Sequence, residues 1–203
     1  MTNLRLPPHT SSLTAIAATV FLASCASTGQ YSAGSTTDQN APGGMMGSRD
    51  QSYHYSTATC SAPAALPGST VRVILADMGM TTMMGGDAPM GARMTLDATP
   101  TTVPAGAITL VAQNSGWRTH ELVLLRLTAG SGPGQQVPGT DGKVDEAGSL
   151  GEASASCAAG TGQGITAGAV GWTTLTLSPG RYELVCNLKN HYANGMHQEL
   201  DVS

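Results

Sequence analysis

Charge and aromatic side chains are both scarce in this 203-residue chain, at 11% and 4%. The nine Lys and Arg are scattered and the formal net charge is −4. That excludes nucleic acid as the main partner, because phosphate binding needs clustered Lys and Arg. The only Phe, Phe21, lies in an N-terminal apolar stretch, so a core has to come from Val, Leu, Ile and Ala with two Trp and a few Tyr. No catalytic carboxylate pair is evident, which argues against an enzyme. What is abundant is Gly (26) and Pro (11), with Thr and Val in short runs. Many short strands joined by turns fit that composition better than long helices.

The N-terminus predicts export. Leu13–Ala23 (LTAIAATVFLA) is apolar but too short to span a bilayer, as in a signal-peptide hydrophobic region. It runs into Leu22-Ala23-Ser24-Cys25, which resembles the lipobox of bacterial lipoproteins. The resemblance implies cleavage after residue 24 and lipidation of Cys25, placing the protein on the extracytoplasmic side of a bacterial membrane. Arg5 as the sole basic side chain before the apolar run is a departure from the usual pattern. Residues 25–58 are rich in Ser, Thr, Gly and Gln without apolar periodicity and read as a flexible tether. Its root-mean-square reach is roughly 30 Å. A folded domain over residues 59–203 is expected to follow.

If Cys25 carries lipid, three cysteines remain: Cys60, Cys157 and Cys186. An odd count in an exported protein calls for a use of the leftover thiol. One disulfide and one metal-bound thiolate would account for all three. Cys157 could staple its loop to Cys60, although spacing alone does not establish the pair.

Strand signals recur over 71–75, 94–96, 108–112, 119–125, 172–177, 182–186 and 198–202, with Pro-Gly and Asn-Ser-Gly turns between several of them. The pattern predicts an all-β antiparallel sandwich. Residues 128–171 form a long insertion rich in Gly, Ala and Ser, in which the acidic stretch 141–147 is expected to make one short helix.

The C-terminal region reads Cys186-x4-His191-x4-Met196 between two strands. Tyr182, Leu184 and Cys186 share one strand face, with Glu183 and Val185 on the other, so the thiol points inward. Thiolate, imidazole and thioether on one tight loop make a soft site that suits copper in both oxidation states. Zinc fits less well, since it prefers Cys, His and carboxylate. A second imidazole must come from elsewhere. His9 lies in the signal segment, His54 in the tether, and His197 shares a face with Glu199 and Asp201 and is expected to face solvent. His120, opening an apolar strand, remains. A Met-rich stretch with Met78, Met80, Met83, Met84, Met90 and Met94 lacks helical spacing. It is either a secondary Cu(I) site or an adaptable docking patch.

The segments His120-Glu121-Leu122 and Cys186-Asn187-Leu188-Lys189-Asn190-His191-Tyr192-Ala193-Asn194-Gly195-Met196 resemble the cupredoxins, and most of all the sulfocyanin-like small copper proteins. The resemblance spans about Val71 to Ser203. It implies an eight-stranded Greek-key sandwich and one type 1 copper held by His120, Cys186, His191 and Met196. Many cupredoxins have Asn or Ser after the first His; Glu121 stands there instead. The implied function is one-electron transfer by a monomer, with partners such as a cytochrome or oxidase and His191 as the electron port. The rival readings are copper delivery through the Met-rich stretch and a metal-free, disulfide-braced interaction protein.

Overall fold

The computed structural model describes residues 56–77 and 90–203. The signal segment, Cys25, most of the tether and Met78, Met80, Met83 and Met84 lie outside the described residues. Nine strands are described: β1 (Ser69–Asp77), β2 (Met94–Thr99), β3 (Thr102–Val103), β4 (Gly106–Asn114), β5 (Leu122–Arg126), β6 (Gly151–Ala153), β7 (Val170–Leu177), β8 (Gly180–Val185) and β9 (His197–Val202). They form two sheets, ordered β2-β1-β4-β7 and β3-β9-β8-β5-β6. The architecture is the expected β-sandwich, with two refinements. β1 pairs with β4, and β3 with β9, in parallel, so each sheet is mixed rather than antiparallel. The two very short strands, β3 and β6, bring the number above the eight implied by resemblance. Among the described residues no helix is long and apolar enough to cross a membrane.

Side-chain alternation builds the core. In β2, Met94, Leu96 and Ala98 are buried while Thr95, Asp97 and Thr99 face out, the period of two that a half-covered strand requires. Val71, Val73 and Leu75 of β1 meet Ile108 and Leu110 of β4, and Leu122, Leu124, Tyr182, Leu184 and Leu200 of the second sheet complete the layer. Cys186 and Met196 belong to this same cluster. The site is therefore built into one end of the core.

The outer face of the second sheet is covered as well. Val123, Leu125 and Val185 pack there with Val144 of the insertion and Tyr192. Glu183, on this face, is fully buried. Its Oε1 accepts from the Gly134 N–H at 2.7 Å and the Tyr192 hydroxyl at 3.0 Å, and its Oε2 from Gln136 Nε2 at 2.7 Å. Removing that carboxylate would take the acceptor from all three donors, at about 1–3 kcal/mol for the buried Tyr192 hydroxyl. Glu183 is thus the polar clamp holding the insertion on the sheet.

Residues 141–147 do not form the expected helix; they make turns. Asp141 Oδ1 accepts from the Lys143 N–H at 3.1 Å and Asp145 Oδ1 from the Ala147 N–H at 2.9 Å. Such short-range side-chain acceptors compete with helical bonds. Gly142, at φ 76°, takes a left-handed conformation. The described helical piece is a single 3-10 turn at Tyr192–Asn194.

Cys60 and Cys157 form a disulfide that links the segment before β1 to the insertion. Nearby, the Thr59 N–H donates to the Gly168 carbonyl at 2.9 Å and Ser56 Oγ to the Asn114 carbonyl at 3.2 Å. Among the described residues Cys186 is the free cysteine.

Candidate metal centre

Two chain segments converge on the site. The first is the approach to β5. His120 lies two residues before the strand and is held by a bridge to Ile165: its N–H donates to the Ile165 carbonyl at 3.1 Å, and Ile165 returns a bond at 2.6 Å. The second is the loop between β8 and β9. The Cys186 N–H donates to the Met196 carbonyl at 3.0 Å, which ties the two ends of the loop together. Within it the Met196 N–H reaches back to the His191 carbonyl at 3.2 Å. Gly195 closes the 3-10 turn at φ 99°, and Asn190 sits at φ 67°. These left-handed positions suit Gly and Asn, which is why the turns in this loop read Lys-Asn-His and Asn-Gly-Met.

The side chains meet in a compact group. His120 and His191 face each other through their Nδ1 atoms at 3.1 Å. Cys186 Sγ is 3.3 Å from His191 Nδ1 and 3.8 Å from His120 Nδ1. The three donor atoms lie within 4.8 Å of one another, and all three residues are buried. Such spacings allow the donors to share one ion at ordinary bond lengths of about 2.0 Å to nitrogen and 2.3 Å to sulfur. Met196 is fully buried in the cluster that contains Cys186. Two imidazoles, a thiol and a thioether are a donor set that copper fits.

Burial sets the protonation of these groups. It pushes the Cys186 thiol up to about 12, against backbone N–H bonds from Glu121 and Leu188. Burial, with His120 and Arg118 nearby, pushes His191 down to about 3, so its ring is neutral and able to ligate. The Glu121 N–H donates to Cys186 Sγ at 3.3 Å. The contact to sulfur is thus a backbone one, available whichever side chain stands at 121. The Glu121 carboxyl is itself pushed up to about 7 by burial, then by Glu152 and Glu146, and its Oε1 has no hydrogen-bond partner.

Two outer residues carry more than the motif indicated. Asn187, directly after the cysteine, accepts from the Val144 N–H at 2.7 Å and donates to the Val144 carbonyl at 2.9 Å. It pins the insertion against the loop. Asp77, at the end of β1, is nearly fully buried and accepts from His120 Nε2 at 3.0 Å. Burial would raise the Asp77 carboxyl, yet His120 and the Arg118 and Trp117 N–H groups bring it below the usual range. Its phase was a readable signal: Val71, Val73, Leu75 and Asp77 fall on the inward face of one strand.

The other expectations fare differently. His197 is half-buried, its ring 5.0 Å from that of Tyr192; the insertion reaches over this end of β9 and shields it from solvent. Met94 is a core residue of β2, whereas Met90 is exposed. The described part of the Met-rich stretch therefore does not gather its thioethers on one surface.

No curated protein matches the chain significantly. Among solved structures, it is similar to rusticyanin from Thiobacillus ferrooxidans, with 19% identity, 74% of this chain and 89% of that one covered, and a TM-score of 0.40. It is also similar to auracyanin A, a "blue" copper protein from Chloroflexus aurantiacus, with 17% identity, 66% and 98% coverage and a TM-score of 0.40. The family model of the Sulfocyanin (SoxE) domain matches residues 98–203, just over half of the chain and inclusive of all four expected ligands. The chain belongs to the sulfocyanin family, blue copper proteins of the cupredoxin class, with an arrangement consistent with one type 1 copper.

Proposed function

We propose that this protein is a one-electron carrier at the extracytoplasmic face of a bacterial membrane, with copper held by His120, Cys186, His191 and Met196. The observation that carries the reading is the buried group of His120, Cys186 and His191, whose donor atoms lie within 4.8 Å of one another. Copper held by these residues would supply a one-electron Cu(II)/Cu(I) couple between a reduced and an oxidised partner. The chain's own contribution is rigidity. His120 is fixed by the Ile165 bridge, Cys186 by the bond to Met196, and the loop by Asn187. A site that does not rearrange between oxidation states exchanges electrons without a large reorganisation of its ligands. His191 is the port: it keeps 5% exposure, whereas His120, Cys186 and Met196 have none. Its partner is a redox protein such as a cytochrome or an oxidase.

Titrating Cu(II) into the purified metal-free protein tests this. One equivalent is expected to produce an intense blue charge-transfer band. Replacing Met196 with Gln should retain copper but shift the band and lower the reduction potential, since a harder amide oxygen in place of the thioether favours Cu(II). A folded, copper-loaded protein without the band would overturn the reading.

The membrane location rests on the Leu-Ala-Ser-Cys25 sequence. Cys25→Ser is expected to move the protein from the membrane fraction to the soluble fraction of fractionated cells. Retention of the variant in membranes would remove the lipid anchor from the proposal.

A further inference from the structure

The carboxylate of Asp77 is in direct contact with His120, a copper-site residue. Asp77 is 3% exposed and ends β1, in phase with the inward-facing Val71, Val73 and Leu75. Its Oδ2 accepts from three donors: the Trp117 N–H and the Arg118 N–H, each at 2.9 Å, and His120 Nε2 at 3.0 Å. The loop that supplies the two backbone donors is shaped to receive it. A Cβ at Gly116 would lie 2.3 Å from Asp77 Oδ2, so only glycine lets the chain come this close. Asn114 secures the loop from behind. Its Oδ1 accepts from the Gly116 N–H at 2.9 Å, and its Nδ2 donates to the Arg118 and Ile165 carbonyls, each at 2.7 Å.

This arrangement has a chemical consequence. An ionised carboxylate only accepts, so the hydrogen in the Asp77–His120 contact sits on His120 Nε2. That leaves the lone pair of His120 Nδ1 directed at His191 Nδ1 and Cys186 Sγ, where a metal would lie. A carboxylate that accepts from the far nitrogen of a ligating histidine fixes the ring and increases its basicity.

We propose that Asp77 is a positioning residue that holds His120 as the Nε2–H tautomer and, through its negative charge, biases the site towards Cu(II). The second half rests on the copper-carrier reading; the first does not. The charge acts through His120 on a site enclosed by apolar side chains, where screening by water is weak.

The test uses the full chain in three forms: wild type, Asp77→Asn and Asp77→Ala. In metal-free wild type, nitrogen-15 NMR is expected to show His120 protonated at Nε2. Finding it protonated at Nδ1 would overturn the tautomer assignment without any copper being present. In copper-loaded protein, Asp77→Asn keeps an acceptor but loses the charge. The expected result is a retained blue band with a reduction potential higher by a tenfold change in the Cu(I) to Cu(II) affinity ratio, about 59 mV for one electron. Asp77→Ala loses the acceptor too and should weaken Cu(II) retention by about 10–100-fold. An unchanged potential in folded, blue Asp77→Asn protein would overturn the electrostatic role. Absence of the blue band in wild type would instead strike at the copper reading, and would leave the NMR result to decide the tautomer.

Discussion

Cys186→Ser is expected to abolish the blue absorption of the copper-loaded protein while leaving the metal-free protein folded. The two outcomes separate because the thiol plays two physical roles. As a packed group it is fully buried in the inter-sheet core. Serine is close to it in shape, and its hydroxyl inherits the N–H donor of Glu121 that now points at Sγ. The substitution thus costs about 1–3 kcal/mol, the scale for burying a hydroxyl with incomplete hydrogen bonding. As a ligand, however, thiolate is the soft anionic donor of the set, and an un-ionised hydroxyl replaces neither its charge nor its covalency. Absorption spectroscopy with copper analysis reads the loss of the ligand, and denaturant unfolding of the metal-free protein reads the packing cost. Thermal unfolding provides a further check. Copper raises the midpoint of the wild type by linkage, because it binds the folded form, and that rise should disappear in the variant. A persisting blue band would remove Cys186 from the ligand set.

Removing the disulfide is expected to destabilise the fold strongly while leaving all four proposed ligands in place. Cys60 and Cys157 are 97 residues apart in sequence. A cross-link of that span restricts the unfolded chain by about 4–5 kcal/mol in the chain-entropy account, and removal of native bridges usually costs about 2–5 kcal/mol. Against a total stability of about 5–15 kcal/mol this is a large share. The Cys60→Ala, Cys157→Ala double variant should therefore unfold some 5–15 °C below the wild type, from about 2–4 °C per kcal/mol for a domain of this size. Its blue band at low temperature should match the wild type. Equal midpoints for the two proteins would mean that the segment before β1 contributes nothing to folding cooperativity.

The copper loop was legible because its information is local. Cys186, His191 and Met196 sit on eleven consecutive residues, and the positive-φ turns between them announce themselves as Asn and Gly. The longer strands were legible for a similar reason, since period-two burial in 94–99 or 71–75 repeats several times. β3 and β6, at two and three residues, are too short to show a period. The parallel pairing of β1 with β4 was out of reach, because it depends on which strands the fold brings together. Glu183 was assigned to the right face but not to the interior; the insertion that buries it lies some fifty residues upstream. The helix expected at 141–147 failed on its own chemistry, since Asp141 and Asp145 capture the N–H groups a helix would use. Asp77 was overlooked for a different reason. Its ligating type drew no notice outside a motif, although its strand phase pointed it at His120.

The bridge between Cys60 and Cys157 also has a mechanical meaning if the chain is tethered at Cys25. Tension from the membrane enters the domain through the segment ahead of β1, where hydrogen bonds from Ser56 and Thr59 would be loaded first. Past Cys60 the load divides, because a covalent link carries part of it straight into the insertion at Cys157. β1, which sits between β2 and β4 and ends in the Asp77 carboxylate beside His120, is spared the full pull. In a chain anchored at Cys25 the disulfide would thus act as a strain relief ahead of the proposed copper site.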